Sequence, residues 1–153
     1  MQIEKADLKD INELVQMRIE YLTEDYGGLT DSHAEKIRNQ LPEYYNILLN
    51  KDLFVYVMKS EKIISCCFLL VSDKPANPSF INGRTGTVMN VYTRPDFRRK
   101  GIAKKIMEFL ISDAKKMKLD FIELKSTDNG YNLYKSVGFE DVFSKYHNMK
   151  IIF

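Results

Sequence analysis

The chain has no tryptophan, and only two cysteines, two histidines and four prolines among its 153 residues. Cys66 and Cys67 are adjacent inside an apolar run, which gives no framework for disulfides and suits buried, reduced thiols. With so few histidines and no Cys/His spacing pattern there is no structural zinc motif, and no metal is expected. Long hydrophobic runs are missing as well. The longest, Leu53 to Met58 and Ile63 to Val71, fall far short of a membrane span, so no membrane partner is expected. The opening Met-Gln-Ile-Glu-Lys-Ala-Asp has no apolar leader core, which points to a cytoplasmic protein. An excess of either charge is lacking too: a net +2 gives no general attraction for nucleic acid, so any basic surface must be local. Two phosphate-binding patterns, G-x-x-x-x-G-K-[ST] and G-x-G-x-x-G, do not occur.

What is present is an ordinary folding composition, 44% hydrophobic and 29% charged, with length for one domain over residues 1–153. Gln2 to Lys5 reads as a short strand. Asp7 then precedes Leu8, Ile11, Leu14, Val15 and Leu22, a helical stripe that Gly27-Gly28 breaks. Ser32 with Glu35 has the form of a capping box for a second helix carrying Ala34, Ile37 and Leu41, which Pro42 kinks or restarts before Tyr44 to Leu49. The period then changes. Leu53 to Met58 and Ile63 to Val71 form a hairpin, Ser72 to Gly83 a loop, and Thr85 to Thr93 a third long strand that Pro95 ends.

The strongest amphipathic helix runs from Ile102 to Met117, and Asp120 to Lys125 follows as a strand. Asn129 to Val137 is a short helix closed by Gly138, and Phe139 to Phe143 and Tyr146 to Phe153 read as two final strands. The sum is one α/β domain of the α+β type. Its mixed, mostly antiparallel sheet has about six to seven strands and about four flanking helices.

The segment that carries chemistry is Val91-Tyr92-Thr93-Arg94-Pro95-Asp96-Phe97-Arg98-Arg99-Lys100-Gly101-Ile102-Ala103. A strand ends, a basic stretch with one glycine follows, and a long helix starts at once. The first amides of a helix have no intrahelical acceptors, and the dipole leaves partial positive charge there, so the junction is an anion site. Gly101 and the small Ala103 let a ligand approach the backbone, and Arg98, Arg99 and Lys100 strengthen the field. A pyrophosphate suits that geometry. A solvated basic loop is the plainer account of the same residues.

Arg98-x-x-Gly101-x-Ala103 resembles the acetyl-CoA signature Q/R-x-x-G-x-G/A of the GNAT N-acetyltransferase superfamily. Leu133-Tyr134-Lys135-Ser136-Val137-Gly138-Phe139 is similar to that family's L-Y-x-x-x-G-F segment, one helix and one strand downstream, as in the family. The element order resembles it along essentially the whole chain.

The resemblance implies acetyl-CoA as acyl donor, with coenzyme A released, and an amine of a small molecule or peptide as acceptor. It places the pantetheine arm against the backbone of Val91, Tyr92 and Thr93, and the pyrophosphate on the amides of Arg99, Lys100, Gly101, Ile102, Ala103 and Lys104, with Arg98 as the signature's first cofactor-binding residue. Tyr134 takes the role of the acid that protonates the departing thiolate. Where many relatives carry an asparagine seven residues before that tyrosine, this chain has Thr127, which also suits a helix cap.

No carboxylate stands on the signature strand, where Asn90 occupies the region from which relatives draw their general base. Glu24 and Asp25 are the alternatives, and with Tyr26 they mark an acceptor region in which carboxylates and aromatics suit a cationic amine. The missing carboxylate leaves a non-catalytic acyl-CoA-binding domain as the alternative reading. Lys104, Lys105, Lys115, Lys116 and Lys118 read as a solvated helix face, and no nucleic acid is expected. Exposed edge strands and the family's habit allow a homodimer.

Overall fold

The computed structural model describes all residues from Met1 to Phe153. Strand β1 (Gln2–Lys5) leads through a short 3₁₀ turn into helices α1 (Ile11–Asp25) and α2 (Asp31–Leu48). Strands β2 (Leu53–Lys59), β3 (Ile63–Asp73) and β4 (Arg84–Thr93) follow, and then helix α3 (Ile102–Lys116), strand β5 (Phe121–Glu123) and helix α4 (Asp128–Ser136). The strands form one five-stranded sheet in the order β1-β2-β3-β4-β5. The first four are antiparallel, and β5 joins β4 in parallel through the α3 crossover. No helix is long and apolar enough to cross a membrane.

Helices cover both faces of this sheet, which explains why β2 and β3 read as unbroken apolar runs rather than alternating ones. Val55, Val57, Cys66 and Phe68 face α1 and α2, where Leu14, Met17, Leu41 and Tyr45 meet them. Tyr56, Met58, Cys67 and Leu69 face α3, where Ile106, Met107 and Leu110 meet them. Each of those α3 side chains is essentially fully buried, a stabilisation of about 1.5–3 kcal/mol apiece. Cys66 and Cys67 therefore point to opposite faces, both free and buried. Burial pushes the Cys66 thiol up to about 12.

Several expectations need correction. The cap of α2 is Thr30, whose side chain accepts from the His33 amide, so the helix starts before Ser32 and no Ser32–Glu35 box forms. Pro42 neither ends nor restarts α2, which stays continuous because Leu41 and Tyr45 are buried on the sheet around it. Strand β5 is shorter than Asp120 to Lys125.

The sheet has five strands, not six or seven. The final strands expected at Phe139 to Phe143 and Tyr146 to Phe153 do not form. After the Phe139 amide, which bonds to the Tyr134 carbonyl, no residue of this tail makes a backbone–backbone hydrogen bond. An alternating apolar segment becomes a strand only beside a free edge of matching length, and β5 presents just Phe121 to Glu123. Val142, Phe143, Met149, Ile152 and Phe153 are left exposed.

Candidate active site

Strands β4 and β5 touch only from Thr85 to Thr87, opposite Phe121 to Glu123. Beyond that they part, and β4 continues to Thr93 with only β3 beside it. A cavity of about 70 Å³ opens in the gap, lined by Val88, Met89, Asn90 and Val91 on one side and Leu124, Lys125 and Thr127 on the other. Tyr21 and Tyr134 close it.

The parting coincides with a bulge. Opposite Cys66 and Phe68, β4 fits an extra residue, and Asn90 takes the left-handed conformation (φ 53°) that asparagine tolerates better than most side chains. Asn90 is buried. Its Oδ1 accepts from Arg18 Nη1 at 2.9 Å, and its Nδ2 points at Cys66 Sγ, 3.5 Å away.

At its far end β4 delivers the chain to α3. Pro95 opens a 3₁₀ turn to Phe97, and Arg99 (φ 60°) and Gly101 (φ 74°) then both turn left-handed. Gly101 is the N-cap and offers no side chain to cap the helix. As a result no backbone amide from Arg99 to Lys104 has an acceptor within the protein. A row of free N–H groups at the positive end of a 15-residue helix is a built anion site, and it fits a diphosphate.

The side chains of the basic stretch do not all face that site. Arg98 is turned back: Nη2 donates to Glu24 Oε2 at 2.6 Å, Nε donates to the Thr93 carbonyl at 2.7 Å, and the guanidinium lies over the Tyr92 ring. Lys100 lies over the Phe97 ring. Arg99, Ile102, Ala103 and Lys104 carry free backbone amides at the head of the helix, and the Ile102 side chain is anchored in the core. Val91 lines the cavity, Tyr92 packs edge-on against Tyr21, and the Thr93 hydroxyl is tied to Ser65.

Tyr134 sits on α4 facing the gap, half-buried, with its ring edge-on to Phe139. Its hydroxyl has no hydrogen-bond partner in the protein. Burial first, then the neighbouring Tyr21 and Cys67, push its pKa up to about 12, so the phenol keeps its proton at neutral pH. Thr127 caps α4 by accepting from the Gly130 amide, and it also borders the cavity.

The acidic region predicted on α1 is not gathered at the cavity. Glu24 is held by Arg98, and Asp25 and Tyr26 are exposed at the helix end. No carboxylate lines the cavity. Sequence reasoning missed Arg18, Leu124 and Lys125. Arg18 left a trace, for it interrupts the stripe of Leu14 and Leu22 at four-residue spacing. Leu124 and Lys125 left none, being placed only by where β5 stops.

Among curated proteins none matches this chain. Solved structures do. One is a predicted acetyltransferase of Clostridium acetobutylicum with acetyl-CoA, 30% identical over 97% of this chain and 95% of that one, with a TM-score of 0.83. Two more share the fold. A GCN5-related N-acetyltransferase from Ralstonia eutropha is 21% identical (97% of each chain, TM-score 0.73). Glucosamine-6-phosphate N-acetyltransferase from Arabidopsis thaliana is 18% identical (97% of each chain, TM-score 0.69). The family model described as acetyltransferase (GNAT) domain matches residues 50–141, from the turn before β2 past the end of α4. The parted strands, the open amides at the head of α3 and this match agree, and the chain belongs to the GNAT acetyltransferase family.

Proposed function

We propose that the protein transfers an acetyl group from acetyl-CoA to a primary amine of a small molecule or peptide by direct attack, with Tyr134 as general acid. The observation that carries this reading is the placement of a protonated, unpartnered phenol in the gap between β4 and β5. Acetyl-CoA supplies an activated thioester. The amides from Arg99 to Lys104 hold its diphosphate, and the backbone of Val91, Tyr92 and Thr93, unpaired on the β5 side, holds the pantetheine amides. The Tyr134 hydroxyl holds the proton that a departing thiolate needs. With no carboxylate in the cavity, the amine gives up its proton to water rather than to a side chain.

Changing Tyr134 to Phe tests the assignment. Turnover should fall by about a hundredfold, the usual worth of a positioned general acid, while acetyl-CoA affinity is retained. The lack of a cavity carboxylate is the observation favouring the second reading, a non-catalytic acyl-CoA-binding domain. On that reading wild type would bind acetyl-CoA and acetylate no amine. A second copy of the chain is the partner we propose for the exposed apolar tail.

A further inference from the structure

Arg18 lies on the inward side of α1. Leu14, Arg18 and Leu22 recur at four-residue spacing, and both leucines are in the core. A charge placed there loses hydration and requires compensation. The other half-buried arginines have it: Arg84 faces Asp73, and Arg94 faces Glu20. Arg18 forms no ion pair. Its one hydrogen-bond partner is neutral, the Oδ1 of Asn90, and its guanidinium lies over the Tyr21 ring, 5.8 Å from the centroid.

Two acids of α1 are committed elsewhere, and Asp25, at the exposed end of the helix, makes no ion pair with Arg18. Glu20 is held by Arg94 and Glu24 by Arg98. A guanidinium has several N–H donors in a planar fork that matches carboxylate and phosphate oxygens, and one hydrogen bond to Asn90 leaves most of that fork open.

Two further features locate this open charge. Tyr21 and Asn90, the residues it touches, both line the cavity that holds Tyr134. On α2 the hydroxyl of Tyr45 is fully buried and has no partner. It lies within range of the Arg18 charge, which works against the strong upward push of burial on this phenol. An unpaired cation thus touches two residues of the cavity lining from α1, and no carboxylate lines that cavity.

We propose that Arg18 receives an anionic group carried by the acceptor, so that the substrates are amines bearing a carboxylate or a phosphate monoester rather than polyamines. The inference rests on the acetyltransferase reading and names the substrate class for the same site. The anion docks on the Arg18 fork behind Tyr21 and Asn90, and the amine of the same molecule projects into the cavity toward Tyr134.

The test is a set of matched amines, with initial rates followed by thiol release. Glucosamine 6-phosphate is compared with glucosamine, and an amino acid with its carboxamide at equal concentration of neutral amine. In wild type the anion-bearing member of a pair should be preferred by about tenfold or more in kcat/KM, the worth of one charge-assisted hydrogen bond. The pair that shows the gap tells phosphate from carboxylate. Arg18→Gln should close the gap, and Arg18→Glu should shift preference toward spermidine, with acetyl-CoA titration confirming that each variant is folded.

Equal rates within both pairs in wild type, or a gap that persists in a folded Arg18→Gln protein, would overturn the inference and leave the acetyltransferase reading standing. Failure to acetylate any amine would remove both. The wild-type comparison needs no variant, so an unstable substitution at Arg18 does not spoil the test.

Discussion

Gly130 lies one helical turn before Tyr134, and its missing side chain is what lets the phenol ring lie back along α4. A Cβ built there would come within 2.7 Å of the ring carbon Cε2. Gly130→Ala should therefore displace the ring rather than the backbone, lowering kcat with little change in acetyl-CoA affinity. Steady-state kinetics beside a cofactor titration would show it, and an unchanged kcat would remove Tyr134 from the chemistry as firmly as an active Tyr134→Phe.

Tyr134 leaves the pH dependence to the substrate. Its proton is retained up to about 12, so Tyr134 imposes no fall in rate across the working range. The cavity has no carboxylate to titrate, and the reactive species is the neutral amine. kcat/KM should rise with pH up to the pKa of the amine used, about 8 for a peptide α-amino group and about 10 for an alkyl ammonium. An inflection near neutrality that is independent of the amine used would reveal a general base.

At the scale of elements, α3 is fastened to the sheet by more than its apolar stripe. The Tyr56 hydroxyl donates to Asp113 at 2.5 Å, and Lys5 approaches the same carboxylate at 3.0 Å. Burial works against the Asp113 charge, but these two hydrogen bonds prevail and hold its pKa below the usual carboxylate range. The fastening is in full force above the unfolded carboxylate value and fades as the pH falls through the lower folded one. Asp113→Asn should cost about 1–2 kcal/mol in urea denaturation at neutral pH, since the Tyr56 hydrogen bond loses its charged acceptor and Lys5 its partner. That deficit should shrink in acid, and a deficit independent of pH would assign the effect to packing instead.

Elements of this kind differ in how far the sequence announces them. The period of α3, the β2–β3 hairpin and the junction at Gly101 are local patterns, and they were legible because local chemistry decides them. The cap of α2 was missed because Thr30, Asp31 and Ser32 all suit that role, and only the fold selects Thr30. The Arg98–Glu24 pair joins residues 74 positions apart, so no spacing rule exposes it. It also takes up one of the two carboxylates that the sequence offered for the acceptor region.

For the whole molecule, the tail from Val142 to Phe153 is the most apolar exposed segment of the chain's second half. It presents several large apolar side chains to water, the kind of surface a second copy could cover. The full chain should sediment as a dimer and a chain ended at Asp141 as a monomer, with analytical ultracentrifugation as the measurement. A monomer in both cases would mean that the tail is not a docking surface between copies.

The neighbouring thiols on β3 have a different consequence. Because Cys66 looks toward α1 and α2 and Cys67 toward α3, the chain carries one chemical probe in each layer. Neither ionises readily while the layers are closed. Under native conditions the rate at which each is alkylated therefore clocks how often its own layer lifts from the sheet. Single serine replacements would separate the two clocks, and adding acetyl-CoA should slow whichever layer the cofactor pins.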